Sequence, residues 1–271
     1  MPSDRVTRDP LDLQHELESA VERNEFGVEY QPIIDLQSGA IAAVEALIRW
    51  RHPLLGTIPP GDYLPLAEQT GLIVPIGERV LATASRQLRT WHLGFARMQS
   101  LSLHVNVSPT QLSAPGFPQA VERALDDAEV SPVSLTLELG AGCARYLEPA
   151  VELREMGVDL VLEDFGTGTT LEDVRRLPVS GVKLHPQFVA LAAGNPEEVV
   201  FPEALLDIAH VRGLTATGKG IETRDQARRL SSMGCDLGQG FLYSKPLGPE
   251  GIGTLLARGR VSFAGSVRPG R

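Results

Sequence analysis

Cysteine is scarce in this chain: Cys143 and Cys235 are the only two in 271 residues. They stand far apart and in no C-x-x-C pattern. That excludes a disulfide framework and a thiolate metal site, and it implies free thiols in a reducing cytosol. An excess of positive charge is also missing. The formal net charge is −9, which argues against direct binding to bulk DNA or to an anionic membrane. No apolar run approaches membrane-spanning length. The opening MPSDRVTRDP is polar and holds prolines, so no signal peptide is expected. No internal repeat or low-complexity linker divides the chain. These absences leave a cytoplasmic globular protein.

What is present suits that class. Hydrophobic residues make up 42% and charged residues 22%, enough to bury a core. Helical periodicity covers 11–24, a stretch from 61 onward, 72–92, 117–129, 147–156, 171–177, 197–212, 224–233 and 248–258. Extended runs lie between these, at 27–35, 40–50, 101–108, 133–139, 158–164, 180–185, 214–218 and 236–243. The first two flank the turn LQSG and read as a hairpin. Repeated strand–helix alternation implies a largely parallel sheet, and about eight strands in a chain of this size imply a closed (β/α)8-type barrel. The hairpin adds one antiparallel strand to that plan.

In such barrels the loops at the strand C-termini build the site. The strand ends here carry Glu45, Asn106, Glu138, Glu163 with Asp164, Lys183, Lys219 and Gln239. One acidic strand end is commonly a helix cap or a surface loop. Several carboxylates and an amide converging on one mouth form an oxygen-donor site for Mg²⁺ or Mn²⁺, and two such cations close together suit phosphodiester hydrolysis.

The run Glu45-Ala46-Leu47-Ile48-Arg49, followed in order by LPLAEQTGLI, HVNVSPTQL, LELG, DFGTG, VKL, GIET and GCDLGQGFLYSKPL, closely resembles the EAL domain family. The resemblance covers residues 11–258, with 1–10 expected as a flexible leader and 259–271 as a flexible tail. It implies an α/β fold, a modified (β/α)8 TIM-like barrel with one antiparallel strand. Active members use two Mg²⁺ or Mn²⁺ ions to cut cyclic di-GMP to linear pGpG. Carried over by position, Glu45, Asn106, Glu138, Glu163 and Asp164 match metal ligands. Lys183 matches the lysine at the nucleophilic water and phosphate. Gln31, Leu47, Arg49, Gln239 and Pro246 match the nucleotide groove. Arg49 is expected to grip a phosphate, or else to pair with Glu68 or Glu78.

Other positions depart from the family. Glu163 stands where an Asp is usual. His185 replaces an Asp that serves the second metal, and Pro186 replaces an Arg. Ala141 replaces a Glu that steadies the loop after DFGTG, and that loop is one residue short. Lys219 stands at the general-base Glu. A protonated lysine accepts no proton. Its repulsion of a divalent ion at about 4 Å is on the order of 8 kcal/mol at an effective dielectric of 20. Lys219 is expected to pair with Glu163, Asp164 or a ligand phosphate.

The expected function is therefore a catalytically degraded, stand-alone EAL domain that binds cyclic di-GMP or a regulatory protein partner. The alternative is a weak metal-dependent phosphodiesterase, with His185 as a ligand or base. One Mg²⁺ or Mn²⁺ ion or none, and monomer or homodimer, stay open. His104 is expected to be a packing residue and His52 to shape the loop after its strand.

Overall fold

A computed structural model describes residues 10–260, so the expectations for 1–9 and 261–271 lie outside the described residues. The N-terminal elements are α1 (Pro10–Arg23), β1 (Phe26–Asp35), β2 (Ile41–His52), β3 (Gly56–Ile58), α2 (Pro60–Thr70) and α3 (Ile73–Gly94). Next come β4 (Ser102–Val107), α4 (Pro109–Leu112), α5 (Phe117–Ala128), β5 (Leu135–Leu139), α6 (Leu147–Glu155), β6 (Asp159–Phe165) and α7 (Leu171–Arg176). The rest are β7 (Gly181–Leu184), α8 (Pro186–Leu191), α9 (Pro196–Val211), β8 (Thr215–Lys219), α10 (Arg224–Ser232), β9 (Leu237–Gln239) and α11 (Pro249–Arg258).

Eight strands close into a barrel. β2 and β4 through β9 pair in parallel, and β1 joins the two edges by pairing antiparallel with both β2 and β9. This is the expected modified (β/α)8 barrel with one antiparallel strand. Because β1 runs against the others, residues near its start reach the rim that the others reach with their ends. Gln31 thus sits opposite Glu45, and Glu29 opposite Leu47.

Two apolar cores hold this frame. The larger lies between barrel and helices, where Leu103, Leu135, Leu137, Leu160, Val182 and Ala216 are buried. Burying one such Leu contributes on the order of 2 kcal/mol. The smaller joins α1, α2, β3 and the rim ends of β1 and β2. Trp50 is its centre, with ring centroids 5.3 Å from Tyr63 and 5.8 Å from Phe26. Its indole N–H donates to Glu25 at 2.9 Å, so the buried ring keeps its polar atom satisfied. This cluster fixes α2 beside the rim.

Several elements differ from the sequence expectation. β3 and α8 were not anticipated. β3 has three residues and pairs with the end of β2, Trp50 facing Ile58. Pro186 opens α8, and the His185 ring accepts from Gln187 N at 3.2 Å as its N-cap. The strand expected at 236–243 is only Leu237–Gln239. After Gln239 the chain turns over Ile221, whose N–H donates to Gln239 O and whose O accepts from Leu242 N. A Cβ on Gly240 would stand 2.0 Å from Ile221 O. The tail expected from 259 includes Arg260, which bridges Ala40.

That close approach yields a test. Gly240→Ala must push two backbone segments apart, and we expect a loss of about 2–4 kcal/mol in urea unfolding. An unchanged midpoint would show that the turn over Ile221 is looser than described.

Candidate functional site

Period-two alternation turns every second residue of each strand inward. Glu45, His104, Asn106, Glu138 and Lys183 face one another inside the rim on that basis. Lys183 is the hub. Its Nζ donates to both oxygens of Glu138 at 2.6 and 2.7 Å and to Glu45 Oε2 at 3.0 Å. Glu163 Oε1 lies 3.3 Å away. Glu45 also accepts from Asn106 at 2.7 Å and from Gln239 at 2.5 Å. Gln239 in turn donates to Gln31 at 3.0 Å, and Gln31 donates to Ser244 O at 2.9 Å. His104 Nδ1 and Glu138 Oε1 are hydrogen-bonded at 2.7 Å.

Glu163 and Asp164 break the alternation. Successive residues of a regular strand point to opposite faces, yet both line the same cleft. The β6–β7 register shifts between Leu162 and Phe165, and Asp164 has φ 52°. A bulge with one left-handed residue turns the second carboxylate back to the rim. Lys219, the last residue of β8, reaches this pair. Its Nζ donates to Glu163 Oε2 at 2.5 Å and lies 3.9 Å from Asp164 Oδ1. Gly220 takes φ 82° directly after it, and a Cβ there would meet Pro186 at 3.0 Å.

The cluster's charges are mutually arranged. Burial pushes Glu45 up, but Lys183, Gln239, Lys219 and Asn106 together outweigh it and hold the carboxyl at about 2. Burial and the neighbouring Glu45 charge push Glu138 well above the usual carboxylate range despite Lys183. Burial opposes the charge of Lys183, yet Glu138, Glu45 and Glu163 raise its pKa above the ordinary lysine value. Burial opposes the charge of Lys219 too, and Glu163 more than offsets it, so this lysine is also held protonated. His104 is lowered to about 3 by burial and by Lys183, which keeps the ring neutral.

Above the cluster opens a cleft of about 480 Å³. Gln31, Leu47, Arg49, Asn106, Lys219 and Gln239 line it, together with the carboxylates Glu45, Glu138, Glu163 and Asp164. Several sequence expectations differ from the structure. Lys183 is fully buried under the carboxylates that surround it and is not on the cleft wall, so it cannot meet a ligand phosphate there. Pro246 is also absent from the wall. His185 spends its Nδ1 on the α8 N-cap and does not line the cleft. Arg49 pairs with neither Glu68 nor Glu78. Its Nε donates to Glu29 at 2.8 Å and its Nη1 to Ile48 O at 2.9 Å. Lys219 does pair with Glu163, as expected. His52 shapes its loop, accepting from Leu54 and Leu55 N–H at 3.2 Å. His104, expected to be a packing residue, is hydrogen-bonded to Glu138.

Glu45, Glu138 and Glu163 each offer a carboxylate oxygen, all within 4.8 Å of one another. With the Asn106 amide beside them this is a hard-donor set able to hold one metal ion. Adding Asp164, four carboxylates face the two ammoniums of Lys183 and Lys219. With all four ionised the formal balance is minus two, and the raised Glu138 carboxyl makes it less negative when protonated, so one divalent cation satisfies it and two would overshoot.

Lys183→Met leaves these carboxylates buried without their cation, so we expect a loss of about 3–5 kcal/mol at neutral pH. The sign with pH follows from Glu45. Its carboxyl is depressed from 4.5 to about 2, so its stabilisation is present above 4.5 and lost as pH falls through 2. The gap between native and variant in denaturant unfolding should therefore narrow below pH 4.5. A gap that does not change with pH would contradict the cluster's charge arrangement.

The comparisons with known proteins agree with this geometry. The EAL domain profile matches residues 14–246. The bifunctional diguanylate cyclase/cyclic di-GMP phosphodiesterase MucR of Pseudomonas aeruginosa is 36% identical over 249 residues, covering 90% of this chain and 36% of MucR. An uncharacterized protein of Mycobacterium bovis is 37% identical over 254 residues, covering 89% of this chain and 82% of its own length. The solved PaMucR phosphodiesterase in its c-di-GMP complex superposes with a TM-score of 0.83 at 36% identity, over 89% of this chain and 99% of that one. Among three matched relatives, MucR included, the chain spans only 36% to 44% of their length. No helix among the described residues is long and apolar enough to cross a membrane. With its profile match, its relatives and its barrel in accord, the chain belongs to the EAL domain family.

Proposed function

We propose that the cleft binds cyclic di-GMP as a receptor site and has lost the two-metal hydrolytic arrangement. The observation that carries this reading is the Lys219 ammonium, 2.5 Å from Glu163 and 3.9 Å from Asp164. It brings positive charge to carboxylates that a second cation would need. It also removes the carboxylate that would take a proton from water, because a protonated lysine has no lone pair to offer.

Part of the expected ligand side lines the cleft. Arg49 uses Nε and Nη1 on Glu29 and Ile48, which leaves Nη2 without a protein partner among the described residues. Nη2 is positioned to donate to a phosphate oxygen. Lys219 is about one-third exposed toward the same cleft and supplies a second cation. Arg49 and Lys219, each paired with a carboxylate, would offer one donor to each of the two phosphates. The cyclic di-GMP held by the PaMucR relative supports the choice of ligand.

A second reading is favoured by one observation, the Glu45–Glu138–Glu163 cluster. Glu45, Asn106, Glu138 and Glu163 would hold a single Mg²⁺ or Mn²⁺. Such an ion would supply Lewis-acid charge to a phosphate oxygen and would leave slow hydrolysis available.

Calorimetric titration of the full chain with cyclic di-GMP in EDTA separates the readings. We expect binding without metal and no pGpG on subsequent chromatography. Product that depends on Mn²⁺ would establish the second reading instead. Absence of binding in both EDTA and Mn²⁺ would leave a module that meets a protein partner. Arg49→Ala should weaken nucleotide binding about ten- to a hundredfold, the range for a hydrogen bond to a charged group. Unchanged affinity would remove Arg49 from the site.

A further inference from the structure

His104 faces the barrel interior two residues before Asn106, one layer deeper than the rim. In the β4–β5 register it stands opposite Thr136, while Asn106 stands opposite Glu138. The ring therefore reaches Glu138 diagonally across the strand pair, and Nδ1 lies 2.7 Å from Glu138 Oε1. The residue is 6% exposed. It does not line the cleft, and it is not among the carboxylates grouped closely enough to hold a cation. A ring placed there touches neither a ligand nor an ion, so its influence on either passes through Glu138.

The two oxygens of Glu138 are not equivalent. Oε1 meets both Lys183 Nζ, at 2.6 Å, and His104, whereas Oε2 meets Lys183 alone, at 2.7 Å. A carboxylate has about four lone-pair sites, two on each oxygen. Oε1 is therefore filled and Oε2 keeps one site to give. The other ring nitrogen, Nε2, has no hydrogen-bond partner among the described residues. The ring is neutral and carries a single N–H. With that N–H on Nδ1, both Glu138 oxygens stay acceptors. With it on Nε2, a donor goes unpaired and Oε1 must carry its own proton to meet Nδ1. Oε1 is the oxygen nearer the Lys183 ammonium, whose charge opposes a proton there.

We propose that His104 is a positioning residue, whose Nδ1–H holds Glu138 Oε1 inward and thereby presents Oε2 to the cation that Glu45, Asn106, Glu138 and Glu163 would hold. The proposal rests on the one-cation reading of that set. Lys183 sets the distance of the carboxylate, but an ammonium is a point charge with rotatable donors and does not fix its plane. A donor from a second strand does. Partners of this kind orient the groups that bind a metal, and losing one lowers affinity about ten- to a hundredfold.

Two measurements on the full chain test this. Long-range proton–nitrogen NMR reads the tautomer, and we expect the proton on Nδ1 in the histidine signal that His104→Asn removes. Titration with Mn²⁺, followed by electron paramagnetic resonance, reads the orientation. His104→Leu fills space without a donor and should bind Mn²⁺ about ten- to a hundredfold more weakly than the native chain. His104→Asn returns an N–H near the place of Nδ1 and should bind nearly as tightly as the native chain. A side chain that only packs would give the reverse order. Native affinity in His104→Leu, equal losses in both variants, or a proton on Nε2 would overturn the assignment and leave the one-cation reading in place. The tautomer decides the matter if His104→Leu does not fold. A native chain that takes up no Mn²⁺ would overturn the assignment and the one-cation reading together, and leave the metal-free receptor standing.

Discussion

The site depends on one buried ammonium. Lys183 is fully buried and contacts three carboxylates from three different strands, at 2.6 to 3.3 Å. A barrel with polar strand ends brings like charges together at its rim, and in a medium of low polarity they repel strongly. Lys183 offsets that repulsion and sets the distances between the carboxylates. Burying an unpaired charge costs several kcal/mol, so ammonium and carboxylates each need the other. The arrangement is consistent only as a unit. Glu45 keeps its charge, Glu138 takes up a proton most readily, and the amides of Asn106 and Gln239 complete the oxygens of Glu45.

Lys219 extends this unit into the cleft. A second ammonium lies on Glu163 and near Asp164, so the rim carries its own fixed positive charge. The relatives named as cyclic di-GMP phosphodiesterases set the expectation of hydrolysis, and the proposal of a receptor rests on this second ammonium. Fold and chemistry separate at this point. The barrel is shared with the family, and function has to be argued from the strand-end side chains.

Much of this was legible from residue order. Apolar runs ending on Glu45, Asn106, Glu138 and Gln239 gave the rim, because period-two alternation fixes which residues face inward. The same rule, counted two residues back from Asn106, brings His104 to the interior, and that signal went unread. The Arg49–Glu29 pair was also within reach, since the hairpin turn sets the register and places residue 29 diagonally across from 49. The bulge at Glu163 and Asp164 was not legible, because a left-handed Asp leaves no mark on hydrophobic periodicity. Nor was the depth of Lys183. Position along a strand gives a direction, whereas burial depends on which neighbours close over the side chain. His185 shows the same limit, since its ring serves as a helix cap for a short helix that periodicity is too brief to reveal.

The central claim is that Lys219 substitutes for positive charge that a second cation would bring. Counting bound Mn²⁺ per chain by electron paramagnetic resonance titration tests it most directly, on the native chain and on Lys219→Glu. The account predicts no more than one ion on the native chain and an added or markedly tighter ion on the variant. Two ions bound tightly by the native chain, or identical titrations of the two proteins, would contradict it.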